Sequence, residues 1–416
     1  MALISKTSKR IGRVAPTSAG TLAFLLLGTT LCAQSATQTV PDYQVRVRGY
    51  VQADGRFYPS GALGTPSTTF LLRRVRPIFE ATAFDRFQAR IMPDFGEGKV
   101  VLQDAYVDAI LKPLLKVRVG KFKSPFGLER LVSATEILFI ERAAPTSLAP
   151  NRDVGIMLHG QSARERLSYG IAFVNGVADG GSGDVDTRNG NDLVGRLFVK
   201  PFGGSAPAAL RGLAVGGAID AGRDTGTVAD SGVSAYRTAG QQVFFKYRSD
   251  GTAAGTVTTD GDRLRTSLQA TWYTGSVGAV FERTWSSQQL RIDGHSDRLV
   301  NSAWMLTTEV VLTGEPASPR GVVLSSTAGP RARRTGAVEL VARLSNLDVD
   351  DAAYPLFANR SASARSAFEW ALGANWHVNR AVKIATSFHS TSFEGGDPNG
   401  NRPSERLILS RLQFAF

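Results

Sequence analysis

Alternation with a period of two runs through this chain and is cleanest over residues 405–416 (ERLILSRLQFAF). Arg406, Ile408, Ser410, Leu412, Phe414 and Phe416 share one face; Leu407, Leu409, Arg411, Gln413 and Ala415 share the other. Successive side chains leave opposite faces only in a strand. The face bearing Leu412, Phe414 and Phe416 is apolar, and the one bearing Arg411 and Gln413 is polar. A soluble sandwich can carry such a strand. A strand that ends on an aromatic in register is expected to close a membrane barrel, with lipid on one face and a wet lumen on the other.

The same period recurs upstream. Residues 43–54 set Tyr43, Val45 and Val47 against Gln44, Arg46 and Arg48, and 72–82 set Val75, Pro77, Phe79 and Ala81 against Arg74, Arg76 and Glu80. Further strands are predicted at 87–95, 100–111, 115–121, 153–161, 167–175, 193–202, 210–221, 264–275, 277–289, 302–314, 335–346, 368–377 and 381–393. With the last strand they make sixteen. A seventeenth run, 241–248, is assigned to a loop, because closed bacterial barrels have even strand numbers. Mean hydropathy is −0.08. A membrane protein can be this polar only if alternate residues face lipid.

Lys6, Lys9, Arg10 and Arg13 precede an apolar run at 22–27 and small residues around Cys32–Ser35, the layout of a cleaved secretory signal over 1–35, with the barrel domain at 36–416. The run is far short of the roughly 20 residues a helical span needs. Cys32 is the only cysteine, so no disulfide or thiolate chemistry is expected beyond the leader. Without the leader's four basic residues, 44 Lys and Arg stand against 36 Asp and Glu. In an exported barrel that surplus points to an anion pathway or an anionic membrane, not to nucleic acid. Short turns at 274–276 and 378–380 are expected on the periplasmic side. The long polar connections 59–69, 178–191, 222–240, 314–334 and 395–402 are expected outside the cell. Segment 122–152 mixes Phe, Ile and Leu with charges, and is expected to fold back into the barrel as a constriction loop.

The stretch Gly120-Lys121-Phe122-Lys123-Ser124-Pro125-Phe126-Gly127-Leu128-Glu129-Arg130 resembles the phosphate-selective porin O and P family. The resemblance continues through Leu72-Arg73-Arg74, Pro93-Asp94-Phe95-Gly96, Gln103-Asp104-Ala105-Tyr106, Phe139-Ile140-Glu141-Arg142, Asn151-Arg152-Asp153 and Gly373-Ala374-Asn375-Trp376. It implies a homotrimer of 16-stranded antiparallel transmembrane β-barrels in a Gram-negative outer membrane, each a passive anion-selective pore. It also implies that Arg73 and Arg74 belong to a basic ladder and that Asp104 lies beside the constriction. Arg130 stands where phosphate-selective members carry a central lysine, and Gln88 where they carry a second. Arg76 and Lys123 stand at positions that are aromatic in some members.

An anion entering a narrow pore loses water, so the wall must supply N–H donors and positive charge. Arginine's planar fork suits phosphate. Candidates read from the residues are Arg46, Arg48, Arg74, Arg76, Lys116 and Arg118 on polar strand faces, and Lys121, Lys123 and Arg130 at the entry to the inward segment. The narrow zone is assigned to Arg74, Arg76, Lys121, Lys123 and Arg130. The expected substrates are inorganic phosphate or polyphosphate-type anions, the alternative being a general anion or small-solute porin. No cofactor, metal or catalytic group is expected. Two other classes find weaker support in the sequence. A hydrolase would rest on His159 or on His389 near Ser387 and Ser390, which strand alternation is expected to keep apart. A calcium loop would rest on Asp179, Asp184, Asp186, Asn189, Asn191 and Asp192, whose spacing fits no standard pattern.

Overall fold

The computed structural model describes residues 42–59, 68–322, 324 and 336–416. The leader expected over 1–35 lies outside them, as do parts of the 59–69 and 314–334 connections. Sixteen long strands follow one another: β1 (Tyr43–Phe57), β2 (Thr69–Ala83), β3 (Phe87–Asp94), β4 (Val101–Lys112), β5 (Leu115–Lys123), β6 (Arg152–Gln161), β7 (Leu167–Val174), β8 (Asp192–Val199), β9 (Ala214–Thr225), β10 (Thr258–Thr274), β11 (Val277–Ile292), β12 (His295–Val311), β13 (Ala337–Asp348), β14 (Ala364–His377), β15 (Val382–Asp397) and β16 (Glu405–Ala415). Each pairs antiparallel with its neighbours, and β16 pairs back onto β1 from Tyr50↔Ala415 to Phe57↔Ile408. Phe416 completes the seam by exchanging backbone hydrogen bonds with Gly49 at 2.9 and 3.0 Å. Closure leaves no free edge, which is what a sheet surrounded by hydrocarbon requires.

The alternation read from the sequence sets the two faces. Leu412, Phe414 and Phe416 are exposed on the outside, whereas Arg411 and Gln413 are buried inside. Leu407 and Leu409 also face inward and are fully buried, because Ile140 packs on them.

The assignment of run 241–248 to a loop holds, and two other expectations change. Run 241–248 contributes only Val243–Phe245, paired with Tyr236–Arg237 in a small ladder outside the barrel sheet. The ninth strand begins at Ala214, after a helical turn at Ala208–Arg211. The connection after β12 is expected outside the cell from its length and its Gly, Ser and Pro content. Strand parity puts it at the end of the short turns, where Ala317 donates to the Gly275 carbonyl at 2.9 Å.

Inside, the 226–257 connection supplies Tyr236, Phe244, Phe245 and Tyr247 to an apolar cluster with Leu290, Leu299, Leu347, Phe357 and Phe393. This cluster fills the mouth on the β10–β15 side. An open lumen compartment of about 1190 Å³ remains along β1–β8.

Candidate anion pathway

The lumen compartment is lined by thirteen Lys and Arg and six Asp and Glu residues. Its shape depends on segment 124–151, whose apolar and polar atoms are both matched by the inner wall. Ala134 packs with Tyr50, Ile78 and Met92, and Phe139 with Val341 and Ala371. Buried backbone carbonyls need donors, and the wall provides them. Gln52 donates to Ala134 O at 2.9 Å, Lys383 to Thr135 O and Ile137 O at 3.2 Å, Asn375 to Leu138 O at 2.8 Å, and Arg343 to Glu141 O at 3.0 Å. Gly127, at φ +76°, turns the chain so that the amides of Leu128 and Glu129 donate to the two oxygens of Glu282 at 2.9 and 3.1 Å. The segment is thereby fixed to β1, β11, β13, β14 and β15.

Glu141 ties the segment to β2 and β16. Arg73 Nε lies 2.6 Å from its carboxylate, with Arg411 at 3.8 Å and Arg56 and Arg74 at 3.9 Å. Burial alone would push this carboxyl up; Arg73 and Arg74 outweigh it and hold the group well below the ordinary carboxylate range. Adjacent residues of a regular strand cannot both face inward, yet Arg73 and Arg74 both reach Glu141. The β1–β2 register explains this: Gln52 pairs with Arg74 and Ala53 with Leu72, so Arg73 is the extra residue of a bulge. Arg74 also donates to Gln52 Oε1 at 2.8 Å.

Most of the wall cations are paired. Arg76 meets Asp94 at 2.7 Å, Arg152 meets Asp104 at 2.8 Å, and Arg90 sits 3.2 Å from Glu80 and 3.3 Å from Asp104. Towards the short-turn end, Arg118 makes a two-pronged contact with Asp108 at 2.7 and 2.8 Å while stacking on Tyr106 at 3.7 Å. Arg48 grips Glu80 at 2.6 and 3.0 Å.

Six of the thirteen, Lys99, Lys123, Arg130, Arg142, Arg196 and Arg237, have no ion pair among the described residues, and three of these converge on one turn. Lys123 Nζ donates to the carbonyls of Leu131 (3.2 Å) and Val132 (2.9 Å); Arg142 donates to Glu129 O and, at 2.8 Å, to Val132 O; and Arg130 donates to Thr146 O. None of the three has an ion-pair partner among the described residues. Arg130 Nε is buried without any hydrogen-bond partner. Burial, and then the charges of Arg142 and Arg152, push the Arg130 guanidinium below its ordinary range. Three partly buried cations held on neutral carbonyls around one turn, none within ion-pair distance of a carboxylate, place positive charge at the lumen surface.

The predicted site residues separate accordingly. Arg48, Arg73, Arg74, Arg76, Asp104, Arg118, Lys123 and Arg130 line the compartment; Arg46, Lys116 and Lys121 do not. Arg46 is exposed near Glu80, and Lys116 pairs in register with His159 at the short-turn end. Lys121 shares the strand face of the exposed Val119 and bonds to Asp184. Gln88 is exposed beside the 84–86 turn, while Arg90, one strand repeat on, lines the lumen. Arg90, Arg142, Arg152 and Glu141, which are not among the predicted site residues, also line the compartment.

The other classes also meet the geometry. Ser387 and His389 are two residues apart, hence on the same face, and contrary to expectation they do meet. Ser387 Oγ lies 2.9 Å from His389 Nε2, and His389 Nδ1 lies 3.2 Å from Glu369 Oε2. All three are buried, and Phe139 covers the imidazole edge-on at 5.7 Å. None of Ser387, His389 and Glu369 borders the lumen compartment. His159 bonds to Asp108 at 3.1 Å. The acids of the supposed calcium loop are engaged elsewhere: Asp179 by Arg265 at 2.7 Å, Asp192 by Arg263 at 2.7 Å, and Asp184 by Lys121.

Residues 45–416 match the family described as phosphate-selective porin O and P. Porin O of Pseudomonas aeruginosa is 24% identical over 91% of this chain and 90% of its own. Among solved structures, the outer-membrane channel DcaP of Acinetobacter baumannii aligns with a TM-score of 0.58 at 8% identity, covering 92% of this chain and all of its own. The anion-selective porin of Comamonas acidovorans aligns at 0.56 with 10% identity, over 90% of this chain and all of its own.

Proposed function

The chain belongs to the phosphate-selective porin O and P family, and on that premise we propose a mechanism for it as an anion-selective channel of the outer membrane. The observation that carries the mechanism is the trio Lys123, Arg130 and Arg142, partly buried beside the lumen with no carboxylate within ion-pair distance among the described residues. Segment 124–151 acts as the inward constriction, and the trio is its anion station. An anion drawn to the basic wall exchanges water for these donors, then passes to Arg90, Arg118 and Arg48. Those arginines hold it less tightly, because each already faces a carboxylate. Phosphate and polyphosphate-type anions are the substrates that forked donors fit best.

The reading as a general anion porin rests on a separate observation. Arg76, Arg90, Arg118 and Arg152 are neutralised by acids, and Gln88 adds no charge. Ser387, His389 and Glu369 are read as packing between wall and segment. The leader at 1–35 is removed on export, and three copies assemble as the family resemblance implies.

Single-channel recording in a planar bilayer under a salt gradient tests this. A reversal potential favouring anions, with chloride current blocked by added phosphate, supports the phosphate station. Anion selectivity without block leaves the general porin. Cation selectivity overturns both.

A further inference from the structure

On the outer face of β10–β12, one charge has no acidic partner among the described residues. Arg283 shares the outward face of β11 with Phe281 and Trp285, and is in register with Leu268 on β10 and Trp304 on β12. Leu268, Phe281 and Leu306 around it are exposed, as a lipid-facing belt requires. Arg283 itself is exposed and, among the described residues, has neither an acidic partner nor a hydrogen bond. The other outward arginines nearby do: Arg291 faces Asp260 at 3.2 Å and Arg298 faces Asp262 at 3.7 Å. An arginine left bare in hydrocarbon is unfavourable, and one whose head reaches the interface is tolerated.

The stacking contact with Trp285 gives the direction of the side chain. The guanidinium sits 4.8 Å from the centre of the Trp285 ring, on the side away from the short 275–276 turn. Beyond Trp285 the outward face of β11 becomes Ser287, Gln289 and Arg291. Trp285 therefore marks the outer edge of the belt, as aromatic girdles do, and Arg283 reaches up to that edge from roughly 7 Å further down the strand.

We propose that Arg283, braced by Trp285, binds the phosphate of an outer-leaflet glycolipid on the outer wall of the barrel. The cation needs an anion from outside the chain, it is presented at the level of lipid head groups, and its fork matches phosphate oxygens. The lumen plays no part, since Arg283 faces away from it.

The test is native mass spectrometry of the refolded barrel titrated with bisphosphorylated lipid A, with the same glycolipid after dephosphorylation, and with phosphatidylcholine. Wild type should retain the phosphorylated lipid about fivefold better than Arg283→Leu. Arg291→Ala, whose arginine is already paired, should match wild type, and conductance should be the same in all three. Leucine fits the surrounding belt; gel mobility with and without heating confirms that the variant has folded. Equal retention by wild type and Arg283→Leu overturns the proposal. So does equal retention of the dephosphorylated glycolipid by wild type, or a change in oligomeric state with lipid retention unaltered.

Discussion

Replacing Arg130 by alanine is the sharpest perturbation of the proposed anion station. At an effective dielectric of about 20, one unit charge roughly 5 Å from a monoanion is worth about 3 kcal/mol. Some of that is recovered, because Arg142 and Lys123 remain and water fills the space. Hydrogen bonds to charged groups contribute about 1.5–3 kcal/mol net, so the block of chloride current by phosphate should need about ten- to a hundredfold more phosphate. Arg130 also donates to the Thr146 carbonyl at the helical turn Pro145–Leu148, so a change of shape has to be separated from a change of charge. Arg130→Lys keeps the charge and should restore most of the block. Open-channel conductance at high salt reports whether the constriction has kept its dimensions. If Arg130→Ala conducts as wild type does at high salt and phosphate blocks it at the wild-type concentration, Arg130 is not part of a station and the reasoning fails.

Glu141→Gln leaves Arg56, Arg73, Arg74 and Arg411 facing one another. The loss should be about 3–5 kcal/mol of anchoring, seen as larger, noisier single-channel conductance and faster proteolysis within 124–151; unchanged traces would remove Glu141 from the anchor. The same carboxyl is held below its ordinary pKa, so its contribution is complete above about pH 4.3 and falls away as pH drops towards the folded value. Conductance should therefore be flat from about pH 5 to 8 and rise only in acid; a rise near pH 7 would point to another group. Arg118→Ala should weaken the phosphate block less than about threefold, because Asp108 already holds that arginine, and should move the reversal potential towards cations as Asp108 is freed. Ser387→Ala should lose one buried hydrogen bond, about 1 kcal/mol, seen in thermal melting, while conductance stays as in wild type; no ester hydrolysis should be measurable in either protein.

The barrel was legible because a single rule, alternate residues to lipid, is repeated in sixteen strands. What escaped is where that rule is locally suspended or crossed by tertiary contacts. Arg73 and Arg74 read as opposite-facing until the bulge turns both towards Glu141. Lys121 follows the alternation faithfully, and that is why it leaves the lumen for the face of Val119. Ser387 and His389 were legible, since a separation of two residues puts them on one face; counting them as neighbours hid it. The connection after β12 was legible too, by counting strands instead of judging its length. Arg142 and Arg152 were not. They gain their role only when segment 124–151 brings residues far apart in sequence to one turn, and no local pattern encodes that.

Why the pathway favours anions follows from which atoms the segment spends on the wall. Its carbonyls at Ala134, Thr135, Ile137, Leu138 and Glu141 are engaged by Gln52, Lys383, Asn375 and Arg343. Those at Glu129, Leu131, Val132 and Thr146 are engaged by Arg142, Lys123 and Arg130. A lumen lined with free carbonyls would replace the water around a cation. Here the carbonyls hold the cationic side chains in place, and what is offered to a passing ion is N–H and positive charge. The paired arginines elsewhere on the wall are equally necessary. If all were bare, an anion would sit in one deep well and block the channel. In the proposed pathway Asp94, Asp104 and Asp108 would keep the neighbouring steps shallow, so that an ion held at the trio would have somewhere to go.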